Sequence, residues 1–183
     1  DGLEIHYDGD FPARSGIGSS STFTVGLINA LNNYLSLSMS TKELAMKSII
    51  LEQKILREKV GSQDQIAAAH GGFNEIRFFK NGNYSINPII TDIEKIKSFE
   101  KKFILIFTGA RKKKQTADTI TRKFIHKLNS VKKRNIFEIM SFAKAAKDMI
   151  KKNQFDDFGR LLNQSWKVKR DLSNSISNSK IDE

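Results

Sequence analysis

The segment from Pro12 to Ser21 has the composition of a loop that binds an anion. Gly16 and Gly18 permit a positive φ and a close approach of backbone N–H groups to a ligand. A helix predicted directly after the segment adds its unpaired N–H groups and the positive end of its dipole. The hydroxyls of residues 19–21 can bind phosphate oxygens or Mg²⁺, which prefers oxygen ligands. The segment therefore predicts a site for the phosphates of a nucleotide.

Two other phosphate-binding loops do not fit this segment. A Walker loop needs Gly-Lys followed by Ser or Thr, whereas Ser19 follows Gly18 here. A dinucleotide-binding fingerprint needs a third glycine at the position of Ser21. One structural alternative stays open from the sequence, because serine is a favourable N-cap and the segment would then be an ordinary serine-rich helix start.

Two carboxylates further along the chain, Glu52 and Asp64, have residue types that phosphoryl transfer requires. Glu52 lies late in a predicted helix, and Asp64 opens the next helix after a turn at residues 61–63. In such sites one acidic side chain helps to hold Mg²⁺, and another orients the attacking hydroxyl and accepts its proton. Each residue also has a structural alternative, Glu52 as a solvated helix charge and Asp64 as a helix N-cap.

A basic run from Arg111 to Lys114 precedes a helix predicted to begin near Gln115. Cations at a helix N-terminus oppose the helix dipole by about 0.3–1 kcal/mol each when exposed, and a bound anion reverses that effect. We therefore predict that Arg111 contacts a phosphate of the substrate, with a solvated cluster as the alternative for residues 112–114.

The histidines at positions 6, 70 and 126 lack ligand spacing and do not predict a zinc or iron site.

The elements that position these residues follow from hydrophobic periodicity. Alternation at Leu3, Ile5 and Tyr7 predicts a strand that ends near Asp8. The other predicted elements, in chain order, are a helix after the loop, a helix with a Ser40–Glu43 capping box that ends near Lys59, a short helix over 64–70 closed by Gly71 and Gly72, a hairpin of 73–80 and 84–90 around Asn81-Gly82, a buried strand over 103–107, and helices at about 115–128, 136–152 and 155–172. This order predicts an α+β chain.

The positive charge of the chain is confined to one half. Residues 1–100 carry ten Lys and Arg against twelve Asp and Glu, a net of −2, whereas residues 101–183 carry twenty-one against eight, a net of +13. The electrostatic field of such a basic half favours binding of a phosphorylated substrate, a nucleotide or nucleic acid, with a solvated basic face as the alternative.

The sequence has no cysteine, no apolar run long enough to span a membrane and no signal peptide, so we expect a cytoplasmic location.

The loop resembles the second signature of the GHMP kinase superfamily. In that signature a proline and small residues precede Gly-Leu-Gly-Ser-Ser and then Ser or Ala, and here Ile17 replaces the leucine. The segment from Val60 to Gln65 resembles the stretch with the family's catalytic aspartate, and Glu52 lies where its magnesium-binding glutamate is expected. Three later stretches are similar to bacterial D-glycero-D-manno-heptose 7-phosphate kinases: Gly72-Phe73-Asn74, Phe107-Thr108-Gly109 with Arg111, and Leu161-Leu162 through Ser165-Trp166 to Ile176-Ser177.

The resemblance implies a sugar kinase that uses ATP and Mg²⁺. Asp64 would bind and activate the anomeric hydroxyl of a sugar or sugar phosphate, D-glycero-D-manno-heptose 7-phosphate being the expected substrate. Mg²⁺ would be held by Ser20 and Glu52, and Arg111 would contact the substrate. The residues implied to bind ATP are Ser15, Gly16, Ile17, Gly18, Ser19, Ser20 and Ser21.

Three alternatives to this substrate and activity remain open from the sequence. The chain could belong to a GHMP kinase for another sugar such as fucose. It could instead be a nucleic-acid-binding module that uses its basic half, but that function would leave the loop and Asp64 unexplained. A non-catalytic relative is the third alternative, against which the intact Ser20, Glu52 and Asp64 argue.

The resemblance also implies a domain organisation. Family members have an N-terminal domain like ribosomal protein S5 domain 2 and a ferredoxin-like C-terminal domain. We expect residues 1–100 to be the later part of the first domain and residues 101–183 the beginning of the second. The family's first signature and its glycine-rich third signature fall outside this sequence, so we expect a chain that is truncated at both ends and inactive alone.

Overall fold

The structure, a computed structural model, describes residues 2–10, 15–90, 92–109, 129–174 and 176–182. In these residues helices surround one small antiparallel sheet, which confirms the predicted α+β class. The elements, in chain order, are α1 (Ser19–Tyr34), α2 (Thr41–Ile50), a π-helical segment (Leu51–Ile55), α3 (Gln63–His70), β1 (Phe73–Phe78), β2 (Tyr84–Ile90), α4 (Ile93–Glu100), α5 (Ser130–Lys151), α6 (Phe155–Arg170) and α7 (Ser179–Asp182).

The predicted capping box opens α2. The Ser40 hydroxyl accepts a hydrogen bond from the backbone N–H of Glu43 at 3.2 Å, and the Glu43 carboxylate accepts one from the backbone N–H of Ser40 at 2.8 Å. The Ser40 hydroxyl also donates to this carboxylate at 2.7 Å, and its hydrogen bond holds the pKa of Glu43 below its ordinary value. The box therefore satisfies two backbone donors at the start of the helix that carries the chain toward Glu52.

Ser40→Ala should lower the free energy of unfolding by about 1 kcal/mol, because it removes the N-cap acceptor. Ser38→Ala, an exposed serine in the preceding turn, is the matched control and should stay within about 0.5 kcal/mol of the parent. Urea unfolding at several pH values measures both. The hydrogen bond that lowers the pKa of Glu43 stabilises the fold only while the Glu43 carboxylate is ionised. The difference in unfolding free energy between the parent and Ser40→Ala should therefore shrink as the pH falls through the lowered pKa of Glu43. Equal effects of the two substitutions would contradict the capping role.

The predicted hairpin is confirmed. β1 and β2 pair antiparallel around the turn at Asn81-Gly82, where Gly82 has a φ of 81° that favours glycine. Phe73 pairs with Ile90 and Asn74 with Pro88, so β2 has one extra residue, Ile89, in a bulge. The Lys147 ammonium contacts the Glu75 carboxylate at 2.8 Å and lowers the pKa of Glu75, which ties α5 to the hairpin.

The hairpin contributes to two hydrophobic clusters. In the first, Ala45 of α2 and Ile66 of α3 are fully buried and pack with Tyr84 of β2. In the second, Phe99 of α4 packs with side chains of α5 and α6; its buried members are Phe99, Ile150 and Phe158, and Phe73, Ile89, Ile90, Ala146, Met149 and Phe155 pack against them. The first cluster fixes α3 against α2, and α3 is the helix that carries Asp64.

Two of the predicted strands are wrong. Residues 2–9 and 103–109 form no strand, and their apolar side chains are exposed, with Ile104 at 87%. A strand needs a hydrogen-bonded neighbour, and the described part of the chain provides none for either segment. The helix predicted over 115–128 lies outside the described residues. Helix α4, which follows an Asp92 N-cap, was not predicted.

No helix in the described ranges has the length and apolarity needed to cross a membrane.

The predicted division of the chain into two domains near residue 100 stays a prediction. Side chains from both sides of it, including Phe99 and Ile150, share the second hydrophobic cluster.

Candidate functional site

The loop around Gly16 and Gly18 leads directly into α1. Gly16 has a φ of 79° and Gly18 a φ of 74°, both in the region that favours glycine. Gly18 is the N-cap of α1, and no side chain caps the helix there. The alternative of a serine-capped helix start is therefore wrong. The first N–H groups of α1 have no partner within the helix and are available to an anion.

The three serines after Gly18 differ in their surroundings. Ser19 is half-buried and Ser20 is exposed. Ser21 is buried, and its hydroxyl donates a hydrogen bond to Oε2 of Glu52 at 3.0 Å. The structure thus brings Ser21 into contact with the carboxylate that was predicted to bind Mg²⁺ with Ser20.

Glu52 is buried because it continues the inward face of α2, four residues after Ser48 and eight after Leu44, both of which are buried. After α2, residues 51–55 form a π-helical turn in which the N–H of Leu56 donates to the carbonyl of Leu51 at 2.9 Å. A π turn adds a residue and rotates the following side chains relative to a continuous α-helix. Ile55, which follows Leu51 at α-helical spacing, is therefore 66% exposed, whereas Glu52 is only 2% exposed. The structural alternative of a solvated Glu52 is wrong.

The Glu52 carboxylate receives two hydrogen bonds on the same oxygen. Besides Ser21, the side-chain amide of Gln65 donates to Oε2, at 2.5 Å. Gln65 lies on α3 and is fully buried. Oε1 of Glu52 is also buried and has no hydrogen-bond partner among the residues that the structure describes. One carboxylate thus connects α1, the π turn and α3, and keeps one oxygen unused.

The side chain of Asp64 lies close to Gly18 of the loop. It is in the first turn of α3 and is exposed. A methyl group built on Gly18 would lie 3.3 Å from both Cγ and Oδ2 of Asp64, so the carboxylate lies beside the start of α1. The alternative role of Asp64 as a helix N-cap is wrong, because the N-cap of α3 is Ser62. The predicted loop and both predicted carboxylates therefore meet at one place.

The donor set at this place fits a magnesium ion. Mg²⁺ takes hard oxygen ligands, usually one or two carboxylates together with phosphates and water. A buried carboxylate oxygen without a partner, Oε1 of Glu52, is the group that such an ion would compensate. The described ranges hold no group of three or more His, Cys, Asp or Glu side chains, so the bound nucleotide would have to supply further ligands.

A cavity of about 420 Å³ opens beside the loop, between residues 5–10 and α1. Its walls are mostly apolar, and Tyr7 and Phe23 meet there edge to face with ring centroids 4.7 Å apart. Ile17 and Ser19 of the loop also line it. This volume is in the range of small-molecule sites, and aromatic walls suit a planar ring next to a phosphate-binding loop.

The far end of α3 is held by a polar contact. Nε2 of His70 and the Tyr84 hydroxyl are 2.9 Å apart, and their rings meet edge to face. Burial lowers the pKa of His70 and raises that of Tyr84. Both groups are therefore neutral near pH 7 and hold the helix of Asp64 on the hairpin.

Part of the predicted site lies outside the described residues. This applies to Arg111 and to residues 12–14 at the start of the predicted loop. Ser15 to Ser21, Glu52 and Asp64 are described. The sequence did not single out Gln65 or the contact between Ser21 and Glu52.

Comparison with known proteins relates the chain to small-molecule kinases. Residues 1–72 match the family of GHMP kinases N terminal domain. The chain is 28% identical to D-glycero-alpha-D-manno-heptose 7-phosphate kinase of Campylobacter jejuni over 98% of this chain and 52% of that protein. It is 22% identical to the bifunctional fucokinase/GDP-fucose pyrophosphorylase of Arabidopsis thaliana over 99% of this chain and 17% of that protein.

A solved structure gives the same relationship. The crystal structure of a D-glycero-D-manno-heptose 1-phosphate kinase from Bacteroides thetaiotaomicron superposes with a TM-score of 0.66 at 29% identity, covering 88% of this chain and 46% of that one. The chain thus spans about half the length of the heptose phosphate kinases that it matches.

Proposed function

Because residues 1–72 of this chain match the family of GHMP kinases N terminal domain, we propose that the protein phosphorylates a sugar with ATP. The observation that carries this proposal is the meeting of loop and carboxylates. The Asp64 carboxylate lies beside Gly18 at the start of α1, and Glu52 accepts a hydrogen bond from Ser21 three residues later. A phosphate-binding loop, a metal-binding carboxylate and an exposed base are the parts that phosphoryl transfer needs.

In the proposed reaction Asp64 acts on the sugar hydroxyl. Its carboxylate accepts the proton of the anomeric hydroxyl while that oxygen bonds to the γ-phosphorus, and the bond from phosphorus to the β–γ bridging oxygen breaks to release ADP. The backbone N–H groups at the start of α1, with loop residues 15–21, would hold the phosphates. Mg²⁺, when bound by Glu52 and a loop serine, predicted to be Ser20, supplies charge neutralisation at the phosphates.

The proposed substrate is a heptose 7-phosphate. This proposal is supported by the similarity to the Campylobacter jejuni kinase whose name states that substrate, and by the similarity over most of this chain to a solved heptose phosphate kinase. The distal phosphate needs a cation, and we propose Arg111 for that contact. A kinase for another sugar such as fucose is the second candidate, because fucokinases are also among the relatives.

ADP release by the full-length protein over a panel of sugars tests this proposal. We expect kcat/KM for D-glycero-D-manno-heptose 7-phosphate to exceed that for the unphosphorylated heptose and for L-fucose at least tenfold, since a lost charge-assisted contact costs about 1.5–3 kcal/mol. Arg111→Ala should remove most of that preference, whereas Arg134→Ala on α5 should keep it. Turnover of L-fucose alone would favour the second candidate. Salt-dependent nucleic-acid binding without ADP release from any sugar would overturn the kinase.

A further inference from the structure

The two hydrogen bonds to Glu52 arrive on one oxygen and leave the other unused. The Ser21 hydroxyl and the Gln65 amide both donate to Oε2, at 3.0 Å and 2.5 Å. Oε1 has no partner among the described residues although it is buried. A carboxylate with both donors on one oxygen is held in one orientation, and its second oxygen is kept for another positive group.

An unpaired carboxylate oxygen in the interior is costly. A buried charged group normally needs a counter-charge or a full set of hydrogen bonds. Glu52 is 2% exposed, and the described groups that contact its carboxylate are the neutral donors of Ser21 and Gln65. Neutral donors orient a carboxylate without cancelling its charge, which therefore remains available to a cation.

The orientation of the Gln65 amide follows from its partner. An ionised carboxylate only accepts hydrogen bonds, so the amide must turn its NH₂ group toward Glu52 and its carbonyl oxygen away. Gln65 is fully buried on α3, and its own Oε1 has no partner within the described part of the chain. The side chain is thus fixed by its single bond to Glu52. It follows Asp64 directly in the sequence, so α3 carries both the Asp64 carboxylate and the amide that orients Glu52.

We propose that Gln65 is a positioning residue, which holds Glu52 so that Oε1 faces a divalent cation bound with the nucleotide. This inference rests on the proposed function. Hydrogen-bond partners of metal ligands typically contribute 10- to 100-fold to metal affinity, because they fix the ligand in its binding orientation. Gln65 would act through Glu52 and contact neither the nucleotide nor the sugar.

The test measures Mn²⁺ binding to the full-length protein with a non-hydrolysable ATP analogue, by electron paramagnetic resonance. Gln65→Met keeps the volume of the side chain and removes the donor to Glu52. We expect the dissociation constant of Mn²⁺ to rise about 10- to 100-fold, whereas the analogue without metal binds as it does to the parent. Unchanged Mn²⁺ affinity in a folded Gln65→Met protein would overturn the inference.

Gln53→Met is the matched control. Gln53 is half-buried, and its amide donates to the Val60 carbonyl at 3.0 Å and the Ser62 hydroxyl at 3.1 Å. Its loss should lower stability and leave the Mn²⁺ affinity unchanged; an equal loss of affinity would mean that Gln65 has only a structural role.

Ser21→Ala keeps the test decisive if Gln65→Met does not fold. It removes the other donor to Oε2, and we expect a smaller loss of Mn²⁺ affinity in the same direction, whereas an unchanged affinity would overturn the inference. If the parent bound the analogue but no Mn²⁺, the inference alone would fail. If it bound neither, the proposed function would fail with it.

Discussion

Asp64→Asn is expected to lower the turnover number of the proposed sugar kinase reaction by about 10²- to 10⁴-fold while the nucleotide still binds. The amide has the shape of the carboxylate but cannot accept the proton of the sugar hydroxyl. Asp64 is exposed at the start of α3 and lies beside Gly18 of the loop, so the substitution removes a charge without opening a cavity. ADP release measures turnover, and calorimetry with a non-hydrolysable ATP analogue measures binding.

Asp156→Asn is the matched control for this variant. Asp156, like Asp64, is an exposed carboxylate in the first turn of a helix, α6. Both substitutions remove a favourable charge near a helix N-terminus, at about 0.3–1 kcal/mol. They should therefore have similar effects on stability, and only Asp64→Asn should affect turnover. Turnover by Asp64→Asn at the rate of Asp156→Asn would refute the assigned role.

The loop and its helix were predictable because each depends on local chemistry. Gly16 and Gly18 adopt the positive φ that only glycine tolerates readily, and α1 begins directly after them. The capping box at Ser40 and the turn at Asn81-Gly82 are also set by a few neighbouring residues. Local signals of this kind identified the loop, α2 and the hairpin.

The environment of Glu52 was only partly predictable from periodicity. Glu52 continues the buried face of Leu44 and Ser48 at helical spacing, but its charge favoured a solvated position, and the π turn then exposes Ile55. The hydrogen bond from Gln65 joins residues 13 positions apart across two elements, and no local signal indicates it. A polar residue directly after Asp64, at a position that the packing of α3 buries, was the only hint.

The two wrong strands have a different cause. The apolar alternation at Leu3, Ile5 and Tyr7 and the apolar run over 103–107 indicate β-structure correctly as a preference. Strand formation is not a local property, because it depends on a neighbour that supplies hydrogen bonds. In the described residues only β1 and β2 have such a neighbour. Helix α4 is the opposite case, because the side chain of Asp92 caps it and is a local signal for a helix start.

Gly18→Ala should lower kcat/KM on the order of 100-fold and should destabilise the fold as well. With a φ of 74°, Gly18 has a backbone conformation that costs an alanine about 1–2 kcal/mol. The new methyl group would also lie 3.3 Å from Cγ and Oδ2 of Asp64, closer than such atoms normally approach. The Asp64 side chain must give by a few tenths of an ångström, and the strained φ shifts the loop as well. Together these shifts can approach the displacement of about 1 Å at a reacting group that costs about 10²-fold in rate.

Gly159→Ala separates the local effect from a general effect of replacing glycine. Gly159 lies within α6, and a methyl group there would meet no atom of the described residues within 4 Å beyond its chain neighbours and the adjacent backbone of the helix. Alanine is the better helix former, so this variant should gain about 0.5–1 kcal/mol and keep the activity of the parent. Thermal unfolding and ADP release measure both variants. An active Gly18→Ala protein with parental stability would contradict the left-handed loop and the contact with Asp64.

The rate losses caused by Asp64→Asn and Gly18→Ala should not add in free energy, because both substitutions act through the Asp64 carboxylate. When Asp64→Asn has removed the base, a methyl group at position 18 can displace only the inactive asparagine, so Gly18→Ala should lower the rate little further. The double variant should therefore turn over only slightly more slowly than Asp64→Asn, whereas the stability losses should accumulate. If the two rate losses multiplied instead, Gly18 would serve the site independently of Asp64, for example through the phosphate contacts of the loop. The pair thus tests whether loop and carboxylate form one catalytic unit.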